Sequence, residues 1–220
     1  MPDDPIQSSR RWLEPSDRVS EVLFGLIMVL TFTGSLSVAE AGRDDVRVML
    51  IGALGCNIAW GIIDGVLYLM GCLAETGRNL MTYVAVRKTS DSKKARAFLA
   101  GVIPPVIAAV LKPTEFEAIH QRLQKLPEPP ARAPLRKEVW LGAFAVFLWV
   151  FVTTFPVAIP FIFIADVGRA MRTSNAVAIV MLFITGAAYA RCVGRSTWLV
   201  GISMVFLGSV LVAMTIALGG

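Results

Sequence analysis

The sequence predicts an all-α integral membrane protein with five transmembrane helices and a small cytoplasmic helical domain between helices two and three. Three observations carry this. Hydrophobic residues make up 55% of the 220-residue chain and charged ones only 17%, with a mean hydropathy of +0.66, whereas a soluble domain carries roughly 25% charged residues to cover its surface. The apolar residues come in long blocks instead of being spread as a core. The Lys and Arg residues, finally, sort to one side of those blocks. A soluble enzyme is excluded.

A bilayer core of about 30 Å needs about 20 apolar residues in a helix. Five blocks approach or exceed that length: 22–39, 48–73, 139–165, 176–190 (extended by 173–175) and 198–218. A sixth apolar run, 98–111, is too short to span and contains Pro104-Pro105, which removes two N–H donors. It reads as an interfacial or domain-core segment. The chain then divides into a cytoplasmic tail (1–20), a transmembrane hairpin (21–74), a cytoplasmic helical domain (75–137) and transmembrane helices three to five (138–220).

The tail holds Ser9-Arg10-Arg11-Trp12-Leu13, faintly like a twin-arginine signal, and Ala39-x-Ala41 looks like a cleavage site. The polar residues Glu14, Asp17, Arg18 and Glu21 stand between that signal and the apolar run. The run is also longer than the roughly 7–15 residues of a signal peptide. The first helix is therefore read as retained.

The formal net charge of +5 is an orientation signal before it is a nucleic-acid signal. With the N-terminus in the cytoplasm, Arg10, Arg11, Arg18, the 12 Lys and Arg from Arg78 to Lys137, and Arg191 and Arg195 all lie inside. Only Arg43, Arg47, Arg169 and Arg172 fall outside. This satisfies the positive-inside rule and puts the C-terminus outside. The basic stretch from Arg87 to Arg96 has no interleaved aromatics, so anionic headgroups suit it better than nucleic acid.

Three short helices account for the cytoplasmic domain. Thr114, with Glu117 three residues on, fits an N-cap and capping box, and a Pro-rich linker (127–134) leads to the third span. In that span Pro156 and Pro160 predict a kink, and Ser174-Asn175 read as the cap of the fourth helix. Hydroxyls at Thr31, Thr33, Ser35 and Ser37 line the second half of the first span, before Glu40 beside Arg43. Such hydroxyls usually bond back to their own helix or pack at interfaces.

A charge deep in the bilayer costs at least roughly 2.5–3.5 kcal/mol on the insertion scale, so each one needs a reason. Asp64 is the one acidic residue that lies deep. At 3.6 residues per turn it shares a helix face with Asn57, Gly61 and Tyr68. Such a face can handle a cation or proton along a path, or it can hold a bundle together by interhelical hydrogen bonds. A carboxylate is a costly way merely to join helices, which favours the first reading.

Metal and catalytic signatures are sparse. Cys56, Cys72 and Cys192 form no CxxC pair, and His120 is the only histidine. Disulfide frameworks and multi-histidine metal sites are thus not suggested. Met28, Met49, Met70 and Met81 are soft potential ligands that more often serve as plain hydrophobes. Glu117 and His120 are three apart, a spacing compatible with sharing one metal, although a surface helix more often produces such a pair by chance. No GxSxG, Walker loop or HExxH occurs, and an intramembrane aspartate protease needs a second deep aspartate. The chain reads as a non-enzyme without a cofactor.

The order of parts resembles the vacuolar iron transporter family, including its yeast calcium-complementing branch. The local likeness runs from Leu135-Arg-Lys-Glu-Val-Trp-Leu-Gly through Thr154-Phe-Pro156 and Pro160-Phe161. It continues in Ala170, Ser174-Asn175-Ala-Val-Ala-Ile, Leu182-Phe-Ile-Thr-Gly186, Gly194-Arg195, Gly201 and Gly208. The resemblance implies two spans, a cytoplasmic helical domain and three further spans, in a homodimer with a cation path between the two first helices. It implies export of a divalent transition metal, Fe²⁺ or Mn²⁺, from the cytoplasm in exchange for protons.

Functional positions carry over unevenly. Met28 stands where the family's first-span transport aspartate is expected. Cys56 or Asn57 falls near its second-span glutamate, and Asp64 near the methionine that follows. The expected path is thus Asp64, Asn57, Tyr68 and Met28. Glu75, Glu115, Glu117 and His120 are the candidates for a cytoplasmic metal-capture site, where most of the family's glutamates are missing. That departure motivates an alternative: a non-transporting membrane protein that uses its basic cytoplasmic domain for interaction or lipid contact. The expected partners are a metal-ion substrate, membrane lipids and a second copy, without nucleic acid. The expected location is a bacterial-type inner membrane.

Overall fold

The computed structural model describes residues 15–34, 42–128, 130 and 135–217. Among these every regular element is a helix. Ser35, Ser37, Ala39, Glu40, Ala41, the twin-arginine-like segment and most of the Pro-rich linker lie outside the described residues. The helices are α1 (Pro15–Gly34), α2 (Arg43–Lys88), α3 (Ser92–Ala100), α4 (Pro105–Val110) and α5 (Pro113–Lys125), followed by α6 (Lys137–Val152), α7 (Thr154–Phe163), α8 (Val167–Cys192) and α9 (Thr197–Ala217). Three stretches are long and apolar enough to cross a membrane: Asp44–Lys88, Lys137–Phe163 and Val167–Cys192. Shorter apolar helices occupy Val19–Thr31 and Thr197–Leu211. The protein is an all-helical integral membrane protein.

The chain forms two compact units, one comprising Leu69–Val139 and the other joining the stretch up to Tyr68 with Trp140 onward. α2 contributes to both. Its 46 residues amount to about 69 Å at 1.5 Å per residue. Asp44 and Asp45 in its first turn and Arg87 and Lys88 in its last complement the helix dipole. The Asp45 carboxylate also accepts the Gly42 N–H at 2.7 Å.

In the larger unit α1 packs on α8, and α8 on both α7 and α9. Leu26, Val29, Leu30, Ala53, Val157, Ala178 and Leu182 form one buried cluster, and Val46, Met49, Phe161, Ala170 and Met171 another. Lipid tails are as apolar as leucine, so close packing and interhelical hydrogen bonds must hold such helices together. Gly186 illustrates this: a Cβ there would stand 2.9 Å from the Val200 carbonyl oxygen of α9.

The sequence places a cap at Ser174 and Asn175, and the structure corrects this. α8 begins at Val167, capped by Asp166, whose carboxylate accepts the Arg169 N–H at 2.7 Å. Ser174 is fully buried inside α8 and donates to the Val157 carbonyl of α7 at 2.7 Å. Arg169 and Arg172 interrupt the apolar run without ending the helix, so the helix starts well before the run does. Ser174→Ala is expected to destabilise the fold by about 0.6 kcal/mol, the mean for interhelical bonds of this kind. Denaturant unfolding in mixed micelles measures it.

The kink expected in the third span falls at a one-residue break, Thr153, between α6 and α7. Thr153 keeps right-handed helical dihedrals and its N–H still donates to the Trp149 carbonyl at 3.4 Å, so the stretch stays continuous. Pro156 has no N–H to give to the Val152 carbonyl, and its ring crowds that carbonyl. The Thr153 hydroxyl bonds back to its own helix, donating to the Val150 carbonyl at 2.7 Å. In α1, Thr31 and Thr33 bond back to the carbonyls of Ile27 and Leu30.

The smaller unit packs Val86, Leu99 and Phe116 at its centre, with Ile103, Ala108, Leu111, Ile119 and Leu123 around them. The run 98–111 is broken as its prolines imply: α3 ends at Ala100 and α4 starts after Pro104, with Pro105 at its first position, where a missing N–H is harmless. The capping box at Thr114 and Glu117 is also corrected. Pro113 opens α5, Thr114 lies within it, and Glu115 reaches back to the Lys112 N–H at 2.6 Å. Glu115→Ala is expected to cost about 1 kcal/mol, typical of a lost helix-end bond. It should speed amide exchange in the first turn of α5 and leave α8 unchanged.

Candidate functional site

The polar face read from the spacing of α2 is present in the larger unit. Asn57 is 0% exposed, and Gly61 and Gly65 are buried on the same side. Asp64 and Tyr68 are partly buried. The glycines bring this face against α6: a Cβ on Gly61 would lie 2.9 Å from the Phe147 ring, and one on Gly65 would lie 3.1 Å from the Ala143 carbonyl oxygen. Tyr68 completes the contact from its side, its ring filling the space that a Cβ on Gly142 would take.

Two oxygens on this face have no hydrogen-bond partner although both are buried, Asn57 Oδ1 and Asp64 Oδ2. The residues are seven apart, so about 10 Å of helix rise separates them. Buried polar atoms normally find partners, and an orphan asks for an explanation in a ligand, a water or a functional role. The other end of the Asn57 amide is held: Nδ2 donates to the hydroxyl of Thr154, the first residue of α7 after the break. Orphaned oxygens at two levels of one helix can each accept from a proton carrier or bind a cation that has shed part of its water.

Glu21 was not singled out by sequence, since it precedes the first apolar run. In the structure its partly buried carboxylate lies within electrostatic reach of both Asp64 and Asp17. Helix-to-helix proximity of this kind has no local signature in the chain. Met28 is partly buried on α1, near the buried trio Leu26, Val29 and Leu30 in sequence. Phe24 reaches α2 through an edge-to-face contact with Trp60, ring centroids 5.2 Å apart.

The candidates in the smaller unit are spent differently. Glu115 is exposed and accepts the Lys112 N–H. His120 is 4% exposed, with Nε2 facing the carbonyls of Val86 at 3.0 Å and Thr89 at 3.2 Å, while its Nδ1 is buried without a partner. Gln124 lies 3.0 Å from the same Nε2. The imidazole thereby joins α5 to the end of α2. Glu75 and Glu117 are partly buried. Among the described residues, no three His, Cys, Asp or Glu side chains stand together in a group that could hold a metal ion. The three cysteines are free. Met49 belongs to a buried cluster, whereas Met81 is 74% exposed.

No curated protein matches the chain significantly. A model of the VIT family matches residues 87–220, more than half of the chain, beginning at the last turn of α2. The chain belongs to the VIT family, the vacuolar iron transporters, which are transporters and not enzymes.

Proposed function

We propose that the protein carries a divalent transition-metal cation, Fe²⁺ or Mn²⁺, out of the cytoplasm in exchange for protons, along the polar face of α2. The observation that carries this reading is the pair of unpartnered buried oxygens, Asn57 Oδ1 and Asp64 Oδ2, on that one face. Asp64 is the carboxylate that alternately takes cation and proton. Asn57, oriented by Thr154, offers an uncharged oxygen two turns away, and Tyr68 lines the same face against α6. Glu21 places a second carboxyl group within electrostatic reach of Asp64. Met28 is a soft ligand on α1, suited to a transition metal over Ca²⁺ or Mg²⁺.

In this reading α1, α2, α6 with α7, α8 and α9 are five membrane spans, and the Leu69–Val139 unit supplies a cytoplasmic domain. The N-terminus is inside and the C-terminus outside, as the Lys and Arg distribution favours. The assembly is a homodimer in a bacterial-type inner membrane. Glu75, Glu115, Glu117 and His120 belong to the cytoplasmic side, where the glutamates attract cations electrostatically. The test is metal uptake into proteoliposomes under an imposed pH gradient. Uptake of Mn²⁺ or Fe²⁺ that collapses when the gradient is dissipated is expected, and uptake equal to that of protein-free vesicles would sink the proposal.

A second reading is a member of the family that keeps the scaffold without transport and acts through its basic cytoplasmic domain. Met28 in place of a first-span aspartate favours it, as does the absence of a three-residue metal group among the described residues. A thermal melt separates the two. Stabilisation by Mn²⁺, Fe²⁺, Co²⁺ or Zn²⁺ at defined stoichiometry rejects this second reading, and indifference to all four supports it.

A further inference from the structure

Within the smaller unit, one surface is more apolar than water tolerates without cause. Phe98 is 45% exposed, Val102 53%, Val106 80%, Ile107 50% and Val110 76%. The same stretch turns Leu99, Ile103, Ala108 and Leu111 inward onto the core. It is therefore two-faced, with large hydrophobic side chains on both faces. α4 has no buried residue at all. An exposed apolar cluster of this density marks a surface that something covers.

The charges beside the cluster indicate what covers it. From Ser92 to Lys112 the chain carries Lys93, Lys94, Arg96 and Lys112 and not one Asp or Glu. All four cations are exposed. Arg96 also lies over the ring of the core residue Phe116, 5.3 Å from its centroid. A second copy laid face to face on this surface would set four positive charges against four more. An anionic lipid surface meets the same charges with complementary ones, and juxtamembrane Lys and Arg each gain about 1 kcal/mol there. α4, at six residues, is far too short to span but suits the interface, where an apolar face sinks about 5–10 Å.

We propose that α4 and the flanking turn form a membrane-interface foot: Phe98, Val102, Val106, Ile107 and Val110 insert among acyl chains while Lys93, Lys94, Arg96 and Lys112 hold anionic headgroups. The proposal is independent of transport.

The experiment is hydrogen exchange on the intact protein in nanodiscs of pure phosphatidylcholine and of phosphatidylcholine with phosphatidylglycerol, and in detergent at two protein concentrations. Amides of residues 98–111 are expected to exchange about tenfold more slowly in the anionic discs. Two variants, K93E/K94E/R96E and V106D/V110D, should each erase that difference while α8 exchanges as in wild type. All the substituted side chains are exposed, and K93E/K94E without R96E, which spares the Arg96 contact with the Phe116 ring, should weaken the difference in the same direction. Equal exchange in the two kinds of disc would overturn the proposal. Protection that appears in detergent and rises with protein concentration would also overturn it, assigning the surface to a second copy.

Discussion

Asp64→Asn is expected to abolish metal flux in proteoliposomes while leaving the protein folded and at least as stable as wild type. The substitution keeps the size and one acceptor oxygen of the side chain, replaces the other oxygen with an NH2 donor, and removes the charge and the titratable proton. An ionised carboxylate at this depth costs roughly 2.5–3.5 kcal/mol on the insertion scale, and the amide is spared most of that. Asp64 Oδ2 has no partner to lose. A role in joining helices makes the opposite forecast, because a carboxylate that holds the bundle would give up stability on replacement and leave flux intact. Flux and unfolding measured on the same preparation therefore distinguish the two roles. Retained wild-type flux would remove Asp64 from the path.

Gly25→Val is expected to be the most damaging single change in the larger unit for stability. Gly25 lies on α1 at its crossing with the break between α6 and α7. A Cβ there would fall on the Thr153 side chain and within 2.8 Å of the Val150 carbonyl oxygen. Thr153 already uses its hydroxyl on that same carbonyl, so neither group can retreat without opening the break. Overpacking in a close-packed interior costs about 1–3 kcal/mol, and here the obstruction includes backbone. Gly25→Ala should show the lower end of that range, since alanine recovers some helix propensity. Adding Thr153→Ala should restore part of the loss and no more, because Val150 remains. Unfolding midpoints of the three variants check this. A Gly25→Val protein as stable as wild type would mean that α1 does not approach the break so closely.

The α2 face was legible because a helix enforces one period. Asn57, Gly61, Asp64 and Tyr68 recur at three and four residues, so their sharing a side follows from 3.6 residues per turn. The break at Thr153 was legible as a kink, since proline chemistry is local. Features that depend on a second helix were not. Ser174-Asn175 before an apolar run has the composition of a cap, and only the position of α7 shows Ser174 bonding to Val157. Glu21 looks like a residue of the polar tail until α1 is set beside α2, within reach of Asp64. The Glu117–His120 spacing admits a shared metal as readily as a chance pair on a surface helix, and it gives no hint that the imidazole Nε2 meets the carbonyls of Val86 and Thr89 at the end of α2. Those carbonyls lie more than 30 residues away in sequence. Local spacing cannot reveal such a competitor.

The polar face of α2 is tested most directly by recording metal entry and proton exit together, in vesicles that contain both a metal indicator and a pH indicator, for wild type and Asp64→Asn. In wild type, each rise in internal Mn²⁺ should be matched by proton movement the other way, with both signals lost in Asp64→Asn. Metal entry with no proton signal, or the same traces from both proteins, would contradict a proton-coupled path through Asp64.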